Sequence, residues 1–396
     1  MSTVAVVLTG AAARGAFQAG ALSRLVPALE AQGHRPTIYL GTSAGAINAA
    51  LFGSFAHLPV EQAAEQLLDV WRAMDSGDVI RPPALSLFGE GLRFLPGALF
   101  GLGHGIDSIL DTTPLQRTAE KVLNSAQIAV NVASGVVDAV GVAATRVPPT
   151  EPTSAEQHWH IADAQSVLFL DTTLDASGVT DPTRALWMAP GPITAEQVLA
   201  SAAIPVAFPP IKVTTPEPFQ GWYLDGGVRL NAPLRPAPVL GADHLVVISA
   251  HATAYPEALP MGVGERPDVL DAAALTLHSI LADRVIEDLA EIRTRNRWLA
   301  EGAELCTSSG RSLRTINLLE VSPAPGVLAE LASDVLDSKR FDPRAAFLSR
   351  ALRGLGDGPG EMELLSYAYF DNDYFQAQIE VGIAAAVQAL ARGWTV

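Results

Sequence analysis

The sequence predicts an α/β protein with a mostly parallel sheet covered by helices on both faces. Short valine-rich runs alternate with stretches whose apolar residues recur at helical spacing. Small-residue turns join the first two strand-helix pairs. Hydrophobic residues fill 49% of the 396 positions and charged residues only 17%, against roughly 25% charged for an ordinary soluble domain, so a large core is available and disorder is excluded.

In chain order, Val4–Leu8 is the first strand, and Phe17, Leu22, Leu25, Val26 and Leu29 then fall on a helical period. Residues 37–40 form a second short strand and Ala44–Phe55 a second helix. Residues 61–71 read as a solvated helix with an apolar stripe. The most apolar stretch, residues 128–144, is interrupted by Asn131, Ser134 and Asp138. It falls short of the roughly 20 apolar residues that a spanning helix needs, and reads as a buried strand with its approaches. Residues 140–144, 166–170 and 245–249 are further strands, and Trp222-Tyr223 a strand end. Residues 270–299 form a long amphipathic helix and residues 374–390 a closing helix that stops before Gly393. Breaks rich in Pro or Gly fall at 82–83, 147–154, 214–221, 256–267 and 354–360. No repeat interrupts this order. One unit over residues 1–396 is expected, with its chemistry within 1–250 and a helical portion from about residue 268 to 396 packed on it.

A net charge of −16, from 26 basic and 42 acidic residues, argues against nucleic acid as a partner, because phosphates need a basic surface. The segment MSTVAVVLTG has no basic region and enters a strand pattern at once, so no secretory leader is expected. A single cysteine, Cys306, allows neither an intrachain disulfide nor a cysteine zinc cluster. The expected place is the cytoplasm, with room for peripheral contact at a membrane surface.

Three segments carry chemistry. Gly41-Thr42-Ser43-Ala44-Gly45 is a G-x-S-x-G with a strand before it and a helix after it, the setting in which a serine sits on a sharp turn with its hydroxyl exposed. Gly10-Ala11-Ala12-Ala13-Arg14-Gly15 joins the first strand to the first helix, and its N–H groups are suited to an anion. It lacks the Lys-Ser/Thr of a P-loop and the spacing of a dinucleotide loop, so no cofactor is expected. Asp225-Gly226-Gly227 puts a carboxylate on a permissive turn. Taken singly, each also reads as ordinary structure: a helix cap, a tight turn with Arg14 solvated, an Asp-Gly turn.

Together the three resemble the patatin-like phospholipase family. Gly10 to Gly15 matches its glycine-rich oxyanion loop with the following Arg-Gly, Gly41 to Gly45 its serine elbow, and Asp225 to Gly227 its Asp-Gly-Gly block. The segments 200–210, 227–233 and 366–371 also look like bacterial members. The resemblance implies a patatin-like fold and a lipid acyl hydrolase working through an acyl-enzyme. Ser43 would be the nucleophile, Asp225 its base, and the N–H groups near Gly10, Ala11 and Ala12 the oxyanion donors. Arg14 would fix the loop or lend positive potential to a substrate head group. The substrate would be a lipid or another acyl ester. This chain departs from the family where a run of glycines becomes Gly10-Ala11-Ala12; a methyl group at a position needing φ > 0 costs about 1 kcal/mol or more.

A Ser-Asp-His triad is the rival mechanism, since His244 and His251 follow Asp225 in the chain. The same fold also serves an acyltransferase or a catalytically weak regulatory protein. His158 and His160 at alternate positions, and the run Asp371-Asn372-Asp373, lack the partners that zinc or calcium needs, so no metal is expected. Residues 84–106 carry many large apolar side chains among six glycines and read either as an apolar flap or as a buried connection.

Overall fold

The structure, a computed structural model, describes residues 2–74, 113–149, 160–253, 264, 266–306, 312–339 and 358–396. The apolar segment 84–106 lies outside the described residues, as does His158. Nine strands make one sheet: β1 Val4–Leu8, β2 Pro36–Thr42, β3 Ala139–Arg146, β4 Gln165–Thr172, β5 Leu186–Pro190, β6 Ile211–Val213, β7 Gly221–Asp225, β8 His244–Ile248 and β9 Asn317–Val321. The order is β5-β4-β3-β2-β1-β8-β9, with β7 paired to β3 and β6 to β7. Strands β3, β2, β1, β8 and β9 run parallel. Strands β4 and β7 are antiparallel to β3, so the sheet is mixed but mostly parallel.

Both faces are covered, and the alternation of β1 shows how. Val4, Val6 and Leu8 belong to one core, and Ala5 and Val7 to the other. A strand buried on both sides has no polar face, which is why VAVVL is apolar throughout. The first face is covered by α1 (Gly15–Ala31), α2 (Ala44–Phe55), α3 (Val60–Ala73) and the last helix, Asn372–Arg392. The second carries the helix Arg284–Ala300 through Val285, Leu289 and Ile292.

Register positions the chemistry. Leu8 pairs with Gly41 on one side and with Ile248 on the other, so the loops after β1, β2 and β8 emerge side by side. Along one edge of β3, β2 occupies residues 139–143 and β7 then takes 144–146 from the opposite direction. Thr42 stands opposite Ala143 and Asp225 opposite Ala144. The C-terminal ends of β2 and β7 therefore meet head to head, which brings two residues 182 positions apart in sequence, Ser43 and Asp225, to one place.

The structure adds to or departs from the sequence pattern in three places. In residues 128–144 the buried strand is β3, and its approach is a helix, Ser125–Ala133, started by Asn124, whose side chain accepts from the Gln127 N–H. The expected helix 270–299 is two α segments, Val269–His278 and Arg284–Ala300, joined by a π-helical stretch, Ser279–Asp283. Strands β5, β6 and β9 are short and their alternation is weak, so their sequences carry no clear strand signal. Among the described residues no helix is long and apolar enough to cross a membrane.

Candidate active site

Ser43 is the first residue past β2 and the N-cap of α2, with φ 57° and ψ −128°. That backbone is sparsely populated for any residue but glycine, and persists only where the surroundings enforce it. Two contacts enforce it here. A Cβ on Gly41 would lie 2.2 Å from the Gly45 carbonyl oxygen, and one on Gly45 2.5 Å from that of Thr9, so the elbow closes only with hydrogen at both positions. The Ser43 N–H donates to the Ser201 hydroxyl at 2.8 Å, which itself donates to the Ala143 carbonyl at 2.5 Å.

Asp225 ends β7, its N–H bonded to the Ala203 carbonyl and its own carbonyl to the Thr145 hydroxyl. Its Oδ1 accepts the Gly227 N–H at 2.7 Å, while Oδ2 makes no hydrogen bond of ordinary geometry. Burial pushes the carboxyl up to about 7, against the pull of the Ser43 hydroxyl and the Gly227 N–H. Gly226 packs where a Cβ would strike the Ala143 carbonyl at 2.2 Å, which fixes the turn behind the carboxylate.

The loop after β1 ends in a 3-10 turn, Ala12–Arg14, leading straight into α1 at Gly15. The N–H of Gly10 is given to the Asn231 carbonyl at 3.0 Å, so Gly10 is not a free donor. Among the described residues no acceptor is found for the N–H of Ala11 or Ala12, the groups a helix start leaves unpaired. Of the two alanines that replace glycine, only Ala12 has positive φ, at 47°; Ala11 sits at −141°. Gly15 lets the loop close on α3, since a Cβ there would meet the Trp71 ring at 2.4 Å.

Arg14 is buried. Its guanidinium donates to Glu363 at 2.7 Å, to Tyr367 at 3.1 Å and to Ser366 at 3.0 Å, and stacks 3.8 Å from the Tyr367 ring centre. These contacts fasten the loop after β1 to the helix Pro359–Ala368. His244 lies at the opposite end of β8, against Asp243, Asn317 and Trp394. His251 is near, but its nitrogens contact the Gly10 carbonyl and the Tyr367 hydroxyl rather than Ser43 or Asp225. The triad arrangement is therefore not formed.

Ser43, Asp225, Ala11 and Ala12 share a cavity of about 610 Å³ walled by Ile204, Phe208, Val228, Leu277, Ile280, Leu281, Leu364 and Phe370. Ile280 and Leu281 come from the π-helical stretch, a distortion that often marks function. Sequence reasoning missed the Ser201 contact and this helical wall. Ser201 belongs to a segment whose resemblance was visible, but nothing in its spacing told that its hydroxyl reaches the elbow. Among the described residues no group of three or more His, Cys, Asp or Glu is placed to hold a metal.

A family model described as patatin-like phospholipase matches residues 6–238. No curated protein matches the chain. Among solved structures, the crystal structure of VipD from Legionella pneumophila aligns with 100% of this chain and 67% of its own, at 15% identity and a TM-score of 0.33.

Proposed function

The chain belongs to the patatin-like phospholipase family, and on that premise of lipid acyl hydrolysis we propose that it cleaves acyl esters with a Ser43–Asp225 dyad. The Asp225 carboxylate takes the Ser43 proton as Oγ attacks the ester carbonyl carbon. Negative charge collects on the carbonyl oxygen and is met by the N–H groups of Ala11 and Ala12. Collapse of this tetrahedral species expels the alcohol, which takes the proton from Asp225 and leaves Ser43 acylated. Water then attacks the acyl-enzyme, giving its proton to Asp225. The second collapse returns that proton to Ser43 Oγ and releases the acid.

The observation that carries this reading is the meeting of Ser43 and a buried carboxyl of raised pKa inside an apolar cavity. Aspartate is normally a weak base, with a pKa of about 3.9; burial makes this one stronger. The cavity suits an acyl chain, and Val228 and Ile280, exposed by 46% and 45%, carry its apolar surface out to the rim, where a lipid aggregate would meet it.

Fatty-acid release from phosphatidylcholine mixed micelles and from a short soluble acyl ester tests the reading. Wild type is expected to hydrolyse both, and Ser43→Ala and Asp225→Asn to fall to background. Turnover that survives in Ser43→Ala overturns it.

A further inference from the structure

Resting on the reading of Ser43 as the acylated nucleophile, we propose that His251 is a positioning residue that aims the Ala11 N–H at the oxyanion by holding the Gly10 carbonyl from behind.

The Gly10 carbonyl and the Ala11 N–H belong to the same planar trans peptide, so they point in opposite directions. Ala11 lines the Ser43 cavity, and on the other side the Gly10 oxygen lies 3.1 Å from His251 Nε2. Whatever fixes that oxygen also fixes the direction of the N–H.

The protonation pattern follows from the partners. A carbonyl oxygen has no hydrogen to give, so Nε2 carries it and Nδ1 is left with a lone pair. Nδ1 is 3.0 Å from the Tyr367 hydroxyl, which therefore donates to it in preference to Glu363 Oε1 at 3.3 Å. The Tyr367 oxygen in turn accepts from Arg14 Nη1 at 3.1 Å. Arg14, Tyr367 and His251 thus donate in series, the last of them to the Gly10 carbonyl, and Arg14 is anchored on Glu363. Each bond polarises the next, and a more strongly held carbonyl makes its own N–H a better donor. His251 is 2% exposed, and its burial together with the nearby Arg14 charge pulls its pKa down to about 3, so the ring is neutral and keeps a single hydrogen. His251 follows β8 and Tyr367 lies on the helix Pro359–Ala368, both beyond residue 238, where the family match ends.

The test compares His251→Gln, whose amide reaches the Nε2 position with an N–H, with His251→Leu, which has none, and with Tyr367→Phe. Measured for each are kcat and KM on a soluble acyl ester, the rate of Ser43 labelling by a fluorophosphonate, the melting temperature, and in wild type the 15N shifts of the His251 ring. Expected are a fall in kcat of about tenfold or more in His251→Leu with KM within about twofold, a parallel fall in labelling, most of the activity restored in His251→Gln, and an Nε2–H tautomer. Tyr367→Phe is expected to lie between, and it serves where the leucine variant does not fold. The proposal is overturned by an Nδ1–H tautomer, by turnover in His251→Leu within twofold of wild type, or by a glutamine variant as slow as leucine at equal melting temperature. Failure of wild type to label at Ser43 counts against the nucleophile, and the tautomer then still decides the His251 bond.

Discussion

The backbone N–H of Ser43 ends on the hydroxyl of Ser201, 2.8 Å away, and through it on the Ala143 carbonyl of β3. One fully buried hydroxyl thus ties the strained elbow to β3. Ser201→Ala leaves a buried N–H and a buried carbonyl without partners. A loss of about 1–3 kcal/mol is expected, read by urea unfolding, together with Ser43 labelling slowed by about tenfold. Lost stability with an unchanged labelling rate would mean that the glycine contacts hold the elbow unaided.

Asp225 predicts two pH effects of opposite sign. As a base it works only when ionised, so kcat/KM is expected to climb through about pH 7 and level off above it. A profile flat from pH 5 to 9 removes Asp225 as the base.

For stability, the folded pKa of Asp225 lies above the unfolded value of about 3.9. Between those values the folded state binds more protons than the unfolded one, so stability falls with rising pH and the loss is complete above the folded pKa. Asp225→Asn has no carboxylate to bury. Its melting temperature relative to wild type is expected to rise from pH 5 to pH 8, and a constant difference over that range contradicts the buried charge.

Ser43 and Asp225 were legible because their turns leave a local mark: glycines at Gly41, Gly45 and Gly226, where the backbone comes too close for a side chain. So was β1, whose burial on both faces writes an unbroken apolar run. What the sequence did not reveal depends on distant pairing. That β7 abuts the end of β2 is a matter of sheet register along β3. That His251 faces the Gly10 carbonyl depends on β1 and β8 being neighbours. The antiparallel strand β4 reads like its parallel neighbours, since both are covered on two faces and lack a polar side to tell direction.

Gly45→Ala is expected to be severe. The added Cβ would stand 2.5 Å from the Thr9 carbonyl oxygen and 2.6 Å from that of Leu8, both backbone atoms of the central strand and its loop. Neither can swing aside as a side chain would, so β1 and α2 must separate. A cost of about 3 kcal/mol is expected, with Ser43 labelling lost. A variant that folds and labels like wild type would show that the loop yields more easily than close packing allows.

Ala12 is the opposite case, a position where glycine should cost nothing. Replacing alanine by glycine ordinarily loses up to about 1 kcal/mol, because the unfolded chain gains freedom. Here the native φ is 47°, and relief of the strain on the methyl group is of similar size. The two effects cancel, so Ala12→Gly is expected within about 0.5 kcal/mol of wild type by urea unfolding. Ala12→Val adds branching at a position with left-handed backbone and is expected to lose more than either. Turnover is expected to be kept or raised in Ala12→Gly, since its N–H stays in place while the cavity gains the room of a methyl group. If glycine costs a full 1 kcal/mol or more, Ala12 bears no strain, and the departure from the glycine run is neutral for the oxyanion loop.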